Sequence, residues 1–305
     1  MAWIQITVGT NQDLAEIYSE YFTLSGAVAV TLHDTKDDPL FEPAPNTTPL
    51  WQETTLVGLF DAHVDMASVK KFLKKHLDNQ TFQTLKIDPL EEKDWIRAGI
   101  AQWQPMRFGK KLMICPSWSE NPDPTAITLM LDPGLAFGTG THATTRLCLE
   151  WLDQHLPMGA TVVDYGCGSG ILGIAALKLG ADFVYAVDND PQALLSTQNN
   201  AKNNGFAEKN ILTLLPRSLN NALKESITTP KKVNLILANI LANPLITLAP
   251  IFAELVEVGG IIVLSGFLEN QIESVFEAYK PWFKLLETES IDGWVRLSAK
   301  TIATL

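Results

Sequence analysis

A glycine-rich turn directly after an apolar run is the part of the sequence whose spacing most clearly indicates chemistry. The run VVDY ends at Tyr165, Gly166 follows it, and the residues from Gly168 to Gly173 fit the pattern GxGxxG. Glycines let the backbone approach a ligand closely, and the helix after such a turn aims its N–H groups at that ligand. The turn therefore predicts a nucleotide-type cofactor site, for either a dinucleotide or S-adenosylmethionine.

A carboxylate further along the chain supports this site without identifying the cofactor. Asp188 ends the next apolar run, 22 residues after Gly166. An acid in this place can accept hydrogen bonds from two ribose hydroxyls, and both cofactors carry a ribose. A dinucleotide-dependent oxidoreductase and a methyltransferase are therefore both compatible with these residues.

Three features favour S-adenosylmethionine. Asp164 places a carboxylate beside the turn, where it attracts an ammonium group and repels a pyrophosphate, although it could instead cap the following helix. The stretch LDPGLAFGTGTHATT, residues 131–145, adds a second glycine segment before the first strand, whereas dehydrogenase folds usually begin with that strand. Asn239 ends the fourth strand, at the edge where open α/β sheets bind their ligands.

The elements that position these residues alternate between strand and helix. Uninterrupted apolar strands indicate a parallel sheet covered on both faces. Only residues 291–293 join the last two strands, FKLLETES and GWVRLS, so these form a hairpin that gives the sheet an antiparallel edge strand. Such a hairpin is typical of the seven-stranded Rossmann-like methyltransferase sheet. We predict strands at 161–165, 183–188, 211–215, 233–239 and 260–265, and helices at 169–180, 190–204, 244–257 and 268–280.

A smaller α+β domain precedes this sheet. Residues 1–90 contain the strands WIQITV, AVAVTL, TTLVGLF and FQTLKI and the helices DLAEIYSEYF and MASVKKFLKKHL. This order predicts a ferredoxin-like βαββαβ domain. An apolar side formed by Trp95, Ile96 and Ile100 indicates a helical linker at 91–100, which leaves 101–305 for the sheet domain.

Four segments together resemble the bacterial ribosomal protein L11 methyltransferase family, which belongs to the class-I S-adenosylmethionine-dependent methyltransferases. They are LDPGLAFGTGTHATT, VVDYGCGSGILGIAALKLGA, AVDNDPQA and LILANILA, in this order behind a small α/β domain. The glycine turn alone would specify only the class, whereas DPGLAFGTGTH together with ANILA is far more selective. The resemblance covers essentially the whole chain and implies S-adenosylmethionine as methyl donor and a ribosomal protein as acceptor, gripped by the N-terminal domain.

The resemblance also implies which residues hold the donor. Asp188 would bind its ribose, and Asn239 would lie near the methyl group and orient the incoming amine. The resemblance also places the hydroxyl of Thr145 and the turn residue Gly166 at the donor, with Phe137, Gly138 and Thr139 over it. Gly168 and the carboxylate of Asp164 are further candidates because they belong to the glycine turn.

The residues after Asn239 indicate the kind of acceptor. Many methyltransferases that act on planar amides or base amines carry Pro-Pro and an aromatic ring there, but this chain continues with Ile240, Leu241 and Ala242. Without a ring at the fourth position, a stacking contact worth about 1–3 kcal/mol for bases is lost. A flexible amine, a lysine side chain or a chain N-terminus, fits better.

Several residues have plainer interpretations. We expect no dedicated base to deprotonate the acceptor amine. We interpret His142 as a residue that supports the local structure by hydrogen bonding, in preference to a catalytic residue. Asp190-Pro191 and Asn243-Pro244 each have the composition of a helix start. Cys167 is expected to serve packing.

Composition limits the remaining possibilities. The chain has 305 residues, 46% of them hydrophobic, and a formal net charge of −11, which disfavours broad binding to nucleic acid. Three cysteines without CxxC spacing fit neither a disulfide framework nor a metal site. No signal segment or membrane span is evident, so we expect a cytoplasmic protein. We also expect a monomer, and the resemblance implies ribosomal protein L11 as its partner. A ribosome-associated binding module without catalysis is the remaining alternative.

Overall fold

The structure is a computed structural model, which describes residues 3–36, 49–90, 103–132, 142–225 and 232–302. The chain divides into two compact units, residues 1–98 and 99–305. None of the helices in the described ranges combines the length and the apolar character that a membrane crossing needs.

The first unit is a four-stranded antiparallel sheet in the order β2-β3-β1-β4. Alternate strand residues and both long helices bury their apolar sides in one core that includes Phe22, Phe60 and Leu73. This arrangement is the split βαβ pattern predicted from the sequence. The elements are β1 (Trp3–Asn11), α1 (Gln12–Leu24), β2 (Ala29–Asp34), β3 (Glu53–Asp61), α2 (Met66–His76), α3 (Asn79–Gln83) and β4 (Lys86–Leu90).

The last predicted strand of this unit begins later than expected. The segment FQTLKI was predicted to be extended throughout, but its first residues belong to the short helix α3. Asp78 starts that helix, because its carboxylate accepts hydrogen bonds from the backbone N–H groups of Gln80 and Thr81 at 2.8 and 2.9 Å. The predicted linker at 91–100 lies outside the described residues.

The second unit is built on a seven-stranded sheet in the order β10-β9-β8-β11-β12-β14-β13. The first five of these strands are parallel, and β14 runs antiparallel to both of its neighbours. The hairpin prediction is confirmed, with β13 at the edge and the reversed strand β14 one position inside it. Apolar clusters cover both faces of the sheet, as predicted. The strands are β8 (Thr161–Tyr165), β9 (Phe183–Val187), β10 (Ile211–Leu214), β11 (Val233–Asn239), β12 (Val256–Leu268), β13 (Phe283–Ile291) and β14 (Trp294–Thr301).

Helices and a second small sheet complete this unit. A three-stranded sheet of β5 (Met106–Phe108), β6 (Leu112–Cys115) and β7 (Ile127–Met130) precedes the main one. One helix was missed by the sequence analysis, although Leu219 and Leu223, four residues apart, are both buried on it. The helices are α4 (Ala143–His155), α5 (Ile171–Leu179), α6 (Pro191–Asn203), α7 (Pro216–Glu225), which is the one missed, α8 (Ala242–Leu255) and α9 (Ile272–Tyr279).

Two predicted helix starts can be compared with the structure. Asp190 caps α6 by accepting from the N–H of Gln192 at 2.9 Å, with Pro191 in the first turn, as predicted. The prediction for Asn243-Pro244 was wrong by two residues. Helix α8 already begins at Ala242, after Leu241, which makes no side-chain cap. Proline is tolerated in this first turn because the N–H groups there have no partner within the helix.

Candidate functional site

The predicted site residues lie around one cleft at the carboxyl edge of the parallel strands. Its volume is about 850 Å³. The ends of β8, β9 and β11 meet there, because Tyr165 pairs with both Val187 and Ala238. Six predicted residues line the cleft, namely Thr145, Asp164, Gly166, Gly168, Asp188 and Asn239. The other three, Phe137, Gly138 and Thr139, lie outside the described residues.

The glycine turn is held in a shape that side chains disfavour. Gly166, Gly168 and Gly170 have φ angles of 77°, 54° and 79°, in the left-handed region. A Cβ atom on Gly166 would lie 2.3 Å from Cγ2 of Ile240, so the residue after Asn239 packs directly on the turn. The backbone N–H of Gly166 donates to the carbonyl oxygen of Val187 at 2.7 Å, which fixes the turn against β9.

Asp164 lies where both functions considered from the sequence are possible, capping the following helix and facing a ligand in the cleft. Its carboxylate accepts a hydrogen bond from the backbone N–H of Gly173 at 2.8 Å, which ties β8 to the first turn of α5. It also lines the cleft, although only 1% of its surface is exposed. Burial raises the pKa of Asp164 to about 7, and the negative charge of Asp188 acts in the same direction.

Asp188 connects the turn to the helix that follows β9. One carboxylate oxygen accepts from the backbone N–H of Gly168 at 2.9 Å, and the other accepts from the N–H of Asp190 at 3.0 Å. A carboxylate offers about four lone-pair positions, so two remain for a ligand. The side chain is half-buried on the cleft wall and can therefore reach ligand hydroxyls.

Asn239 and Thr145 are in direct contact. The side-chain Nδ2 of Asn239 donates to Oγ1 of Thr145 at 3.3 Å, and Thr145 is buried in the first turn of α4. Because the amide nitrogen is directed at α4, the amide oxygen remains an acceptor for a ligand in the cleft.

His142 caps α4 and carries an aromatic partner. Its Nδ1 accepts a hydrogen bond from the backbone N–H of Thr144 at 3.3 Å. The hydroxyl oxygen of Thr144 lies 2.7 Å from the same Nδ1. Burial lowers the pKa of His142, which favours the neutral ring that can accept those bonds. The rings of His142 and Trp294 form a T-shaped pair, with centroids 4.8 Å apart.

Sequence reasoning missed several residues of the cleft. Ile171 and Leu172 line it from α5, and Trp294 lines it from the start of β14. Gly266 also lines the cleft. A side chain is excluded there, because a Cβ atom would lie 2.4 Å from the carbonyl oxygen of Ile240. The hairpin could have indicated Trp294, because the first residue of a reversed strand lies at the carboxyl edge of its parallel neighbours.

The three cysteines are buried and unpaired. Cys167 lines the cleft, but burial raises the pKa of its thiol well above the ordinary value, as it does for Cys148, whose pKa is about 12. Thiols that stay protonated are poor nucleophiles. The packing role predicted for Cys167 is consistent with this environment.

Comparison with known proteins decides between the two cofactor classes. Residues 2–301 match the family model described as "Ribosomal protein L11 methyltransferase (PrmA)". The chain is 48% identical over 302 residues to the ribosomal protein L11 methyltransferase of Mannheimia succiniciproducens, covering 98% of this chain and 99% of that protein. The chain belongs to the ribosomal protein L11 methyltransferase family. A relative of the same name from Marinobacter nauticus is 46% identical over 303 residues, covering 98% of this chain and 99% of that protein.

A solved structure supports the same family. The chain resembles the ribosomal protein L11 methylase of Lactobacillus delbrueckii subsp. bulgaricus with a TM-score of 0.56 and 28% identity, covering 66% of this chain and all of that one. Membership in the L11 methyltransferase family makes this chain an S-adenosylmethionine-dependent methyltransferase and removes the dehydrogenase alternative.

Proposed function

We propose that this protein transfers methyl groups from S-adenosylmethionine to amines of ribosomal protein L11, on lysine side chains, on the N-terminal α-amine, or on both. The observation that carries the proposal is the convergence of Gly166, Asp188 and the Asn239–Thr145 pair on one cleft, in a chain of the L11 methyltransferase family. The same cleft would serve one donor and successive amines.

The chemistry of the cleft wall fits this donor. Two lone-pair positions on Asp188 match the two ribose hydroxyls. Gly166 and Gly168 let the backbone come close, and Asp164 offers a carboxylate to the donor's ammonium group. Thr145 keeps a hydroxyl proton to donate. We propose that Phe137, Gly138 and Thr139 cover the donor from above.

Asn239 would orient the acceptor. The amide nitrogen of Asn239 is engaged by Thr145, so its amide oxygen can accept a hydrogen bond from an N–H group of the incoming amine. This bond would direct the lone pair of the amine nitrogen at the methyl group. When bound, S-adenosylmethionine supplies a methyl carbon to which the amine nitrogen bonds as the carbon–sulfur bond breaks. Placement of the amine is then the main contribution of this side chain.

The amine must lose its proton before it reacts. For a lysine with an ordinary pKa of about 10.4, this costs about 4–5 kcal/mol at pH 7. Removal from water lowers the pKa of an ammonium group and offsets part of that cost. His142 is committed to capping α4 through Nδ1. We therefore propose that the proton leaves to solvent without a dedicated base.

The N-terminal unit has a separate role in this proposal. Residues 1–90 would hold the L11 protein, the helical linker 91–100 would follow, and residues 101–305 would carry the chemistry. The net charge of −11 supports a protein partner over direct nucleic-acid binding. We propose that the protein works as a cytoplasmic monomer, on L11 that is free or bound to the ribosome.

Mass spectrometry of purified L11 tests the proposal. L11 incubated with this protein and S-adenosylmethionine should gain whole methyl increments on amines, and fragment spectra identify which ones. The matched control is Asn239→Leu, which should add far fewer methyl groups to L11 under the same conditions. Methyl groups confined to glutamine amides, or added only to ribosomal RNA, would refute the proposed acceptor.

A further inference from the structure

Trp294 is an aromatic side chain in the cleft that no part of the proposed function uses. It is half-buried, begins β14, and pairs with Leu268 of β12. Its ring lies against His142, with an angle of 69° between the two ring planes. Trp294 and Asn239 both line the cleft.

Strand register places Trp294 on the acceptor side of the site. Asn239 pairs with Ser265, and Ser265 pairs with Arg296, which is two residues after Trp294. The tryptophan therefore lies at the carboxyl edge of the sheet. Its strand is the second neighbour of the strand that carries Asn239, and two strand spacings are about 10 Å. Both side chains point to the face covered by α4, since Asn239 bonds Thr145 and Trp294 packs on His142.

The charges in the cleft are distributed unevenly. Among the lining residues that the structure describes, the carboxylates are Asp164, near the end of β8, and Asp188, directly after β9. The part of the wall formed by β11, β12 and β14 has amide, aromatic and aliphatic groups instead. An amine on this side is a cation when it arrives protonated and when it leaves fully methylated. Apart from the amide oxygen of Asn239, the indole face is the group on this wall that attracts such a cation.

We propose that Trp294 forms the aromatic wall of the acceptor subsite and selects amines that already carry methyl groups. This inference rests on the proposed function. Each added methyl group replaces an N–H that Asn239 could bind, while the positive charge spreads onto methyl groups that pack against an indole ring. The contribution of Trp294 therefore increases with each methyl group, and that of Asn239 decreases.

Two forms of L11 test this selectivity. One is unmodified, and in the other the amines are dimethylated chemically with formaldehyde and a borohydride. Affinity for each form is measured by calorimetry in the presence of S-adenosylhomocysteine, and kcat/KM is measured with S-adenosylmethionine. Trp294→Leu should weaken binding of dimethylated L11 about tenfold while changing that of unmodified L11 about twofold or less. Trp294→Phe, which keeps a ring, should fall between the wild type and the leucine variant.

Controls separate this effect from general damage. Trp118→Leu replaces a tryptophan that is 44% exposed and does not line the cleft, so both affinities should stay unchanged. Affinity for S-adenosylhomocysteine should also be equal in the wild type and Trp294→Leu. Should the leucine variant fail to fold, the phenylalanine variant still gives the ratio of the two affinities. Equal losses for both forms of L11 would overturn the proposal for Trp294, whereas wild-type protein that methylates neither form would refute the proposed function.

Discussion

The side-chain amide of Asn239 donates a hydrogen bond to the hydroxyl of Thr145 across 94 residues of sequence. It links the end of β11 to the first turn of α4, and both residues line the cleft. An amide has one donating and one accepting end, so the bond decides which end faces the ligand. The orientation of Asn239 is thus set by a residue that precedes the glycine turn in sequence.

Removing the Thr145 hydroxyl should therefore act through Asn239. Thr145→Val keeps the side-chain volume, and we expect kcat for L11 methylation to fall about tenfold, in line with one lost hydrogen bond. Thr145→Ser keeps a hydroxyl and should retain most activity. Initial rates of single and double variants measure the coupling, and Thr145→Val should have little further effect in an Asn239→Ala background. Additive losses would show that the two residues act independently.

Gly166 should tolerate no side chain. Gly166→Ala adds a Cβ in collision with Ile240 at a φ angle of 77°, where L residues cost about 1–3 kcal/mol. We expect donor affinity, measured by calorimetry, to fall at least tenfold. The matched control is Gly159→Ala, since Gly159 has a φ of 72° but its Cβ would meet nothing closer than 3.5 Å. If both variants bind the donor like the wild type, the turn is not part of its site.

The sequence predicted the parts of this fold that follow from local patterns. Apolar strands, glycine turns and capping residues such as Asp190 act within a few residues, and each was placed within a short distance of its observed position. Helix α7 was missed because its segment PRSLNNALKE is mostly polar, although its two large apolar residues, Leu219 and Leu223, have helical spacing and are buried.

Contacts between distant segments could not be predicted in the same way. The bond from Asn239 to Thr145 and the packing of Trp294 on His142 depend on strand order and on the path of α4. The hairpin was recognised, but its reversed strand lies inside the edge, and this is why Trp294 reaches the cleft. The hairpin could have indicated that Trp294 lies at the carboxyl edge, but the spacing of residues does not show which side chains meet there.

Asp164 should make stability depend on pH. Its pKa is about 7 in the folded protein and 3.8 as an ordinary value, so between about pH 4 and 7 the folded carboxyl keeps a proton that the unfolded one releases. Stability therefore falls as pH rises, by at most about 1.4 kcal/mol per pH unit from this group. Asp164→Asn removes this titration. The difference between the thermal midpoints of the variant and the wild type should become more positive between about pH 4 and 7 and then level off above pH 7. A difference that does not change with pH would show that Asp164 is ionised throughout.

His142 should behave as a cap and not as a base. His142→Ala removes the acceptor for the Thr144 N–H and should destabilise the protein by about 1 kcal/mol, seen as a thermal midpoint lower by a few degrees. His142→Asn provides another capping acceptor and should restore both stability and methylation rate. A catalytic base at this position would instead leave the asparagine variant as inactive as the alanine variant, despite its normal stability.

Calorimetric titration with S-adenosylmethionine and with NADH, for the wild type and Asp188→Ala, tests the central claim most directly. The account predicts saturable binding of S-adenosylmethionine to the wild type, no binding of NADH, and at least tenfold weaker S-adenosylmethionine binding by Asp188→Ala, which cannot bond the ribose hydroxyls or Gly168. Asp190→Asn, which keeps a capping side chain on α6, should bind like the wild type. Binding of NADH alone, or S-adenosylmethionine affinity unchanged by loss of Asp188, would contradict it.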